Sequence, residues 1–210
     1  GVIVATSNDA SDDILCDFLI ENNFDFFRGD ETDVLKRVLS AAQEKNINHI
    51  VRLTGDCPLI DPLVVDKCVF EYIQDLKLDY ISSTTLSNNY PRGQDVEVFS
   101  EKSLGAIDSF IELNSEFREH VSLYIYTEGI NSCGFSCSPC SPLHYDVDKR
   151  IRLTLDYPED YQLIKEIVKR IGHNCSLEQI VNLIKEIPEL LDVNKKCHIE
   201  ASYPNDHLRV

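Results

Sequence analysis

The chain lacks methionine altogether, lacks any long apolar run, and has few basic residues for its size. Its apolar stretches are only a few residues long, whereas a membrane-spanning helix needs roughly 18 or more. The 20 Lys and Arg residues are scattered along the chain and are outnumbered by 36 Asp and Glu, which gives a formal net charge of −16. Such a surface repels nucleic-acid phosphates and anionic lipid. We therefore expect neither a membrane nor nucleic acid as a partner.

The sequence also lacks the marks of a secreted or disulfide-rich protein. Its first residues have neither a basic start nor a long apolar segment, so they do not resemble a signal peptide. Eight cysteines in 210 residues are too dilute for a disulfide scaffold. We expect a cytoplasmic protein with reduced thiols. Because there is no initiator Met and the chain opens in the strand-like run Val2–Val4, we also expect that further residues precede Gly1.

What the chain does contain is 43% hydrophobic residues, enough for a core, in alternating strand-like and helix-like segments. Short apolar runs separated by amphipathic stretches are typical of βαβ units around a parallel sheet. We predict an α/β fold with a mostly parallel sheet flanked by helices. The predicted strands are Val2–Thr6, Asp25–Phe27, His49–Leu53, Asp79–Ser82, Val96–Phe99 and Ile151–Leu155, and the predicted helices are Asp12–Glu21, Thr32–Lys45, Pro62–Leu76, Glu101–Leu113, Glu116–Thr127, Pro158–Ile171 and Ser176–Ile187.

The length predicts one domain with a small addition, at about 100–200 residues per domain. We expect the α/β domain at residues 1–172, a helical C-terminal appendage at 173–194 and an irregular tail at 195–210. The tail shows no hydrophobic periodicity, so no helix or strand is predicted there.

A cluster of three cysteines, Cys133, Cys137 and Cys140, is followed by His144. The spacing could supply a metal site, and it resembles the iron–sulfur cysteines of radical enzymes that cleave S-adenosylmethionine. Those enzymes carry the motif early within barrel repeats, and no such repeats precede it here. We favour a short strand and turn on which the cysteines alternate, while metal binding stays open.

Two aspartates follow predicted strands directly. Asp56 comes after Gly55, which allows close backbone approach to a ligand, and Asp156 follows the strand Ile151–Leu155. Ligands of open parallel sheets bind beyond the carboxyl ends of the strands. Because Mg²⁺ prefers one or two carboxylates together with substrate phosphate oxygens, this pair is a candidate magnesium site. Each aspartate also has an ordinary alternative, Asp56 as a turn residue and Asp156 as the N-cap of the following helix.

Further polar side chains lie between residues 90 and 120. The first group is Arg92, Gln94, Asp95 and Glu97. The rigid guanidinium suits a substrate carboxylate or phosphate, and the amide and carboxylates could bind sugar hydroxyls, although a solvated hairpin turn is the alternative. Arg118 and His120 form a second cluster, for which a structural role on a helix is the alternative.

These segments occur in the order and spacing of one known family. Taken together, they resemble the cytidylyltransferases, in the branch that serves spore-coat polysaccharide biosynthesis, and are similar to the enzymes that activate acylneuraminate and 3-deoxy-manno-octulosonate sugars. The resemblance covers about residues 1–192. The matching segments are Val2–Ser7, Arg28–Leu35, Thr54–Asp61, Tyr90–Glu97, Arg118–Val121 and Thr154–Asp160.

The resemblance implies a three-layer nucleotidyltransferase fold, of the nucleotide-diphospho-sugar transferase type. It implies a magnesium-dependent transfer of CMP from CTP to a sugar, expected to be acidic, with release of pyrophosphate, in surface polysaccharide biosynthesis. A homodimer is a further expectation. By the same resemblance, Asp56 and Asp156 are the catalytic carboxylates that hold Mg²⁺. The expected substrate-binding residues are Arg92, Gln94, Asp95, Glu97, Arg118 and His120, and the expected nucleotide-binding residues are Thr6, Arg28, Gly29 and Gly55.

The chain departs from this family in one respect. Members begin with a strand and a basic, glycine-containing loop that holds the triphosphate of CTP, and no loop of that kind occurs in this sequence. We therefore expect an N-terminally truncated chain that shows no nucleotidyl transfer by itself. Two alternatives stay open: a nucleotide-sugar-dependent glycosyltransferase, for which Asp146 and Asp148 offer a carboxylate pair, and a non-catalytic module that binds a sugar or a partner in a polysaccharide-assembly system.

Overall fold

A computed structural model of the protein describes residues 1–75 and 77–197, and the chain in these ranges forms six strands and eight α-helices. The strands are β1 (Ile3–Ser7), β2 (Asp25–Gly29), β3 (His49–Leu53), β4 (Tyr80–Ser82), β5 (Val96–Ser100) and β6 (Cys137–Pro139). The helices are α1 (Asp13–Glu21), α2 (Val34–Glu44), α3 (Pro62–Gln74), α4 (Glu101–Asp108), α5 (Leu123–Tyr126), α6 (Glu128–Ser132), α7 (Pro158–Ile171) and α8 (Leu177–Glu186). Short 3-10 helices lie at Ala10–Asp12, Glu116–Arg118 and Pro188–Asp192.

The first of two compact units comprises Gly1–Ile50 and Phe99–Cys137. In it, β1 and β2 pair in parallel over their whole length. Helix α2 packs against both strands and against α4, and its buried face includes Leu35 and Leu39. Asp33 caps the start of α2 by accepting a hydrogen bond from the N–H of Lys36, so helix start and helix face follow from the sequence pattern.

The second unit comprises Val51–Val98 and the described chain from Ser138 onward, and it contains a large apolar core. Strands β3, β4, β5 and β6 form a four-stranded sheet in the order β3-β5-β4-β6. Helices α3, α7 and α8 bury their apolar faces in one cluster, so the C-terminal helix α8 contributes to the same core as α7. Members of that cluster include Val64, Cys68, Tyr72, Ile81, Val96, Val98, Leu153, Leu163, Ile167, Leu177, Ile180 and Ile184.

The segment Ile151–Leu155, predicted as a strand, is not a strand in the structure. It makes an isolated parallel bridge between Arg152 and Arg92. The N–H of Leu155 then turns to a different partner and donates to the backbone oxygen of Asp56 (2.8 Å). Because neighbouring residues pair with separate segments, no continuous ladder forms, although residues 151–154 are buried and only Leu155 at the end is exposed.

Gly93 is required where this segment meets the residues that precede β5. Its φ is 92°, in the left-handed region that favours glycine. A Cβ at this position would lie 2.4 Å from the carbonyl carbon of Leu153 and 2.6 Å from the nitrogen of Thr154. The two backbones therefore approach more closely than any side chain allows.

The single helix predicted over Glu116–Thr127 is also wrong. The structure has a 3-10 turn at Glu116–Arg118 and, after a break, the one-turn helix α5. Within the break Val121 has a φ of 51°, a left-handed conformation that a β-branched residue rarely adopts. Val121, Leu123 and Ile125 are buried, but their burial does not come from one continuous helix.

Other boundaries need smaller corrections. The helix predicted to end at Leu113 ends at Asp108. Strand β2 ends at Gly29, two residues beyond the predicted end at Phe27. The described strands form a parallel pair, β1 with β2, and a four-stranded sheet, within the predicted α/β fold. Within the described residues, no helix is long and apolar enough to cross a membrane. Most of the predicted tail, and Leu76 at the predicted end of α3, lie outside the described residues.

Candidate active site

Asp56 lies in a turn directly after β3, held from two sides. The N–H of Cys57 donates to the oxygen of Thr54 (3.2 Å), which closes the turn. The hydroxyl of Thr154 donates to Oδ2 of Asp56 (3.1 Å), and the N–H of Leu155 donates to its backbone oxygen. The turn after β3 and the segment that leads to Asp156 are therefore joined directly.

Asp156 stands at the start of α7 but does not cap it, since the cap position is Tyr157. Its side chain is 37% exposed, and its Oδ2 accepts a hydrogen bond from Nη2 of Arg152. Its other carboxylate oxygen has no hydrogen-bonding partner within the described part of the chain. Because one oxygen is held and the other reaches solvent, Asp156 can ligate a cation in a fixed orientation.

The side chain that does cap the start of α7 is Asp160, which is completely buried. Its Oδ2 accepts from the N–H groups of Asp156 (3.2 Å) and Tyr157 (3.1 Å). Arg152, also completely buried, forms a two-point ion pair with it, through Nε (3.0 Å) and Nη2 (3.1 Å). Burial alone would raise the pKa of Asp160, but the hydrogen bonds from Arg152 and Asn194 hold it below its ordinary value.

Asp95 forms a second polar centre with Cys57. Its carboxylate accepts hydrogen bonds from the hydroxyl of Thr84 (2.5 Å) and the N–H of Gly93 (2.6 Å). The thiol of Cys57 lies between two carboxylates, 3.5 Å from Oδ2 of Asp95 and 3.6 Å from Oδ1 of Asp56. Burial and then the charge of Asp95 raise the pKa of Cys57 to about 12, so this thiol stays protonated and acts as a donor between the two aspartates.

Four other predicted residues of this unit occupy different environments. Gln94 is fully buried, and its amide accepts from the N–H of Asp61 (2.8 Å) and donates to the oxygen of Leu59 (2.7 Å). Glu97 is 7% exposed and pairs with Arg52 and with the hydroxyl of Tyr80 on the neighbouring strands. Arg92 is half-buried and its backbone forms the bridge to Arg152. Gly55 lies in open space, with no atom within 4 Å of where a Cβ would be.

In the first unit, Thr6 on β1 and Arg28 and Gly29 on β2, all predicted to bind the nucleotide, lie beside the loop that follows β1. The hydroxyl of Thr6 donates to Oδ2 of Asp12 (2.6 Å), as does that of Ser7 (2.7 Å). These bonds lower the pKa of Asp12 to about 2. Arg28 braces the same loop by donating to Asp13 (2.6 Å) and to the oxygen of Ser7 (2.9 Å), and Gly29 ends β2 beside it.

Arg118 and His120, predicted to face the substrate, also lie in the first unit and differ in exposure. Arg118 is 5% exposed, and two of its nitrogens donate to Oδ1 of Asp108 at 2.9 Å each. It also pairs with Asp33, the cap of α2 (3.3 Å). His120 is exposed in the break between the 3-10 turn and α5. The side chain available to a ligand in this pair is therefore His120.

The cysteine cluster adds no metal centre. Over residues 1–75 and 77–197, no three His, Cys, Asp or Glu side chains are grouped so that they could hold a metal ion. Cys133 is exposed, whereas Cys140 is buried with its sulfur 3.5 Å from the hydroxyl of Tyr90. Cys137 begins the short strand β6 and Cys140 follows it, but Cys133 caps the end of α6, so the three cysteines do not alternate on one strand and turn.

Comparison with known proteins decides the family. The family model for cytidylyltransferases matches residues 1–191. The chain belongs to the cytidylyltransferase family. As a cytidylyltransferase it is a nucleotidyltransferase enzyme, as the resemblance of its motifs predicted.

Individual relatives agree with this assignment. The spore coat polysaccharide biosynthesis protein SpsF of Bacillus subtilis is 30% identical over 200 residues, which cover 90% of this cytidylyltransferase and 76% of SpsF. A solved cytidylyltransferase from Leptospira borgpetersenii is 31% identical with a TM-score of 0.81, and the match covers 90% of this chain and 78% of that one. The solved CMP:2-keto-3-deoxy-manno-octonic acid synthetase in complex with CTP is 13% identical, covers 80% of each chain and has a TM-score of 0.54, so it supports the fold alone.

Sequence reasoning missed four side chains of this cytidylyltransferase that hold the two strand-end aspartates. They are Arg152, Thr154, Asp160 and Asn194. Asp160 carried a signal, because it stands three residues into a helix that begins with Pro158, where a carboxylate commonly accepts the free N–H groups. Asn194 carried none, since it lies 34 residues along the chain from Asp160, to which it donates (2.8 Å).

Proposed function

We propose that this protein transfers CMP from CTP to a sugar hydroxyl, with release of pyrophosphate, in a magnesium-dependent reaction of surface polysaccharide biosynthesis. The observation that carries the proposal is the direct link between the turn of Asp56 and the segment before Asp156, through Thr154 and Leu155. This link connects two carboxylate-bearing segments in a chain of the cytidylyltransferase family. The name of the Bacillus relative supports the polysaccharide context.

The residues present fit a magnesium ion. Mg²⁺ takes oxygen ligands, uses one or two protein carboxylates and completes its shell with water and substrate phosphate oxygens. Asp56 and Asp156 offer two such carboxylates, and no third acidic or sulfur ligand joins a metal-holding group in the described residues. A bound Mg²⁺ would supply positive charge to a phosphate that is being transferred.

The protein's own residues would do the positioning. The hydroxyl of Thr154 fixes the carboxylate of Asp56, and Arg152 fixes that of Asp156, so neither has to be ordered when the substrate binds. Cys57, protonated at neutral pH, separates Asp56 from Asp95 and reduces the repulsion between them. For an acidic sugar, Arg92 is the proposed contact in this unit, because its rigid guanidinium suits a substrate carboxylate.

The test measures pyrophosphate release by the complete gene product from CTP and a panel of acidic and neutral sugars, with and without Mg²⁺. Asp56→Asn and Asp156→Asn are expected to lower kcat/KM by roughly 100-fold or more, since they remove metal-holding charge. Asp192→Asn is the matched control, because this aspartate of the same unit is 68% exposed and pairs with Lys195 at the surface. Its activity should equal that of the unchanged protein.

Other outcomes identify the competing functions. Hydrolysis of a nucleotide sugar without turnover of CTP would favour a glycosyltransferase. No binding of CTP with or without Mg²⁺ would favour a non-catalytic module. Magnesium-independent turnover, or full activity of Asp56→Asn, would contradict the proposed site.

A further inference from the structure

Arg152 is an unusual side chain to find where it lies. It is a guanidinium with no solvent exposure, in the buried segment that leads to Asp156. Burial opposes its charge, and hydrogen bonds to Asp160 and Asp156 offset this so that its pKa stays above the ordinary value. Because burying a charge costs free energy, a buried cation at this position indicates that the site uses its interactions.

The ion pair with Asp160 already balances that charge. Arg152 and Asp160 are both completely buried and meet at two points, which fixes the plane of the guanidinium. Asn194 donates to Asp160 and to the backbone oxygen of Arg152 (3.1 Å), so both partners are held in place. A purely structural pair would be complete at this point.

Asp156 is a third, unbalanced member of the cluster. Its Oδ2 accepts from the same Nη2 that contacts Asp160, and its N–H is held by Asp160 as well. Backbone and side chain of Asp156 are thus both tied to one buried ion pair, while the carboxylate remains 37% exposed. One positive and two negative charges leave the cluster with a net charge of −1, carried by the exposed carboxylate.

We propose that Arg152 is a positioning residue that, fixed by Asp160 and Asn194, orients the Asp156 carboxylate for a divalent cation. This inference rests on the proposed function, because it gives Asp156 the metal-holding role. Partners that orient metal ligands typically change metal affinity by about 10- to 100-fold when they are removed. Lysine in place of Arg152 keeps the charge but loses the rigid fork that contacts both aspartates.

The test titrates Mn²⁺, as a stand-in for Mg²⁺, into the complete protein and follows its binding by electron paramagnetic resonance, at a temperature where each variant is folded by circular dichroism. We expect Arg152→Lys to weaken Mn²⁺ binding about tenfold or more. The double variant Arg152→Met with Asp160→Asn removes both buried charges together, so it avoids an unpaired one, and it should weaken binding similarly. Arg170→Lys, which alters an exposed arginine of α7 that pairs with Glu166 at the surface, should leave Mn²⁺ affinity unchanged.

The outcomes separate this inference from the proposed function. A folded Arg152→Lys or double variant with the Mn²⁺ affinity of the unchanged protein would overturn the positioning role while leaving the metal site intact. If the unchanged protein binds no Mn²⁺ at the site removed by Asp156→Asn, both proposals fall. If Arg152→Lys does not fold, the Mn²⁺ affinity of the double variant decides between the outcomes. If the double variant does not fold either, the positioning role is overturned, because the ion pair is then needed for the fold itself.

Discussion

Within residues 1–75 and 77–197, each of the two compact units contains one buried arginine with two acidic partners, and the partners differ. Arg118 in the first unit pairs with Asp108, the last residue of α4, and with Asp33, the cap of α2. Both of these aspartates lie at helix ends. Arg152 in the second unit pairs with the buried Asp160 and with the exposed Asp156. One arginine therefore joins structural elements, while the other joins the fold to a carboxylate that faces solvent.

The difference shows which feature of a buried ion pair can indicate a functional role. Each arginine leaves one buried nitrogen without a hydrogen bond in the described residues, so neither is fully satisfied. What distinguishes them is whether a partner remains available to a ligand. Asp108 is also paired with Lys36 (2.9 Å), whereas Asp156 is 37% exposed and, in the described ranges, accepts a hydrogen bond through Oδ2 alone.

The largest expected effect comes from removing each arginine in turn. Arg152→Met leaves Asp160 charged, buried and without its cation, so we expect a loss of about 3–5 kcal/mol in the free energy of unfolding. Arg118→Met should cost less, about 1–3 kcal/mol, because Asp33 and Asp108 reach water and Asp108 keeps Lys36. Urea unfolding of both variants measures the difference. Equal losses would contradict the comparison.

A smaller effect is expected from the backbone contact that places Arg152 beside Arg92. Gly93→Ala puts a Cβ 2.4 Å from a backbone carbon of Leu153 and forces an unfavourable φ, so it should destabilise the protein by about 1–3 kcal/mol. Gly55→Ala is the control, since nothing lies within 4 Å of its Cβ position. Thermal unfolding compares the two, and an unchanged midpoint for Gly93→Ala would show that the close approach is not needed.

The smallest effect concerns the loop carboxylate of the first unit. Thr6 and Ser7 lower the pKa of Asp12 from 3.8 to about 2. A lowered pKa means that Asp12 stabilises the fold above about pH 4 and that this contribution is lost as the pH falls through about 2. A carboxyl-carbon NMR titration should give a midpoint near 2, and Thr6→Val should raise it. A midpoint of 3.8 in the unchanged protein would contradict the loop geometry.

The sequence predicted the parts of this structure that repeat. Helices α2, α3, α7 and α8 follow from apolar residues at helical spacing and from caps such as Asp61 and Ser176. Asp56 and Asp156 were predicted to lie near each other because carboxylates at strand ends share one edge of a sheet, and their segments do meet at Thr154. These segments meet even though Ile151–Leu155 is not a regular strand, and a joint metal-holding role of the two carboxylates stays a prediction.

What could not be predicted depends on contacts between distant residues. Periodicity treats Arg152 as a surface position, because nothing local shows that Asp160 and Asn194 will surround it. The break at Val121 was missed because its backbone conformation is set by packing and not by its own preference. Gln94 and Glu97 are predicted to contact a ligand, yet their buried side chains form hydrogen bonds with other groups of the protein, which the local sequence does not show.

The central claim, that Asp56 and Asp156 together hold a divalent cation that brings CTP to an acidic protein, is tested most directly by calorimetry. CTP is titrated into the complete gene product with Mg²⁺ and with a chelator, for the unchanged protein and for Asp56→Asn, Asp156→Asn and Asp192→Asn. We predict binding that requires Mg²⁺, that is lost in the first two variants and that is retained in the third. Equal CTP affinity with chelator present, or in Asp156→Asn, would contradict the account.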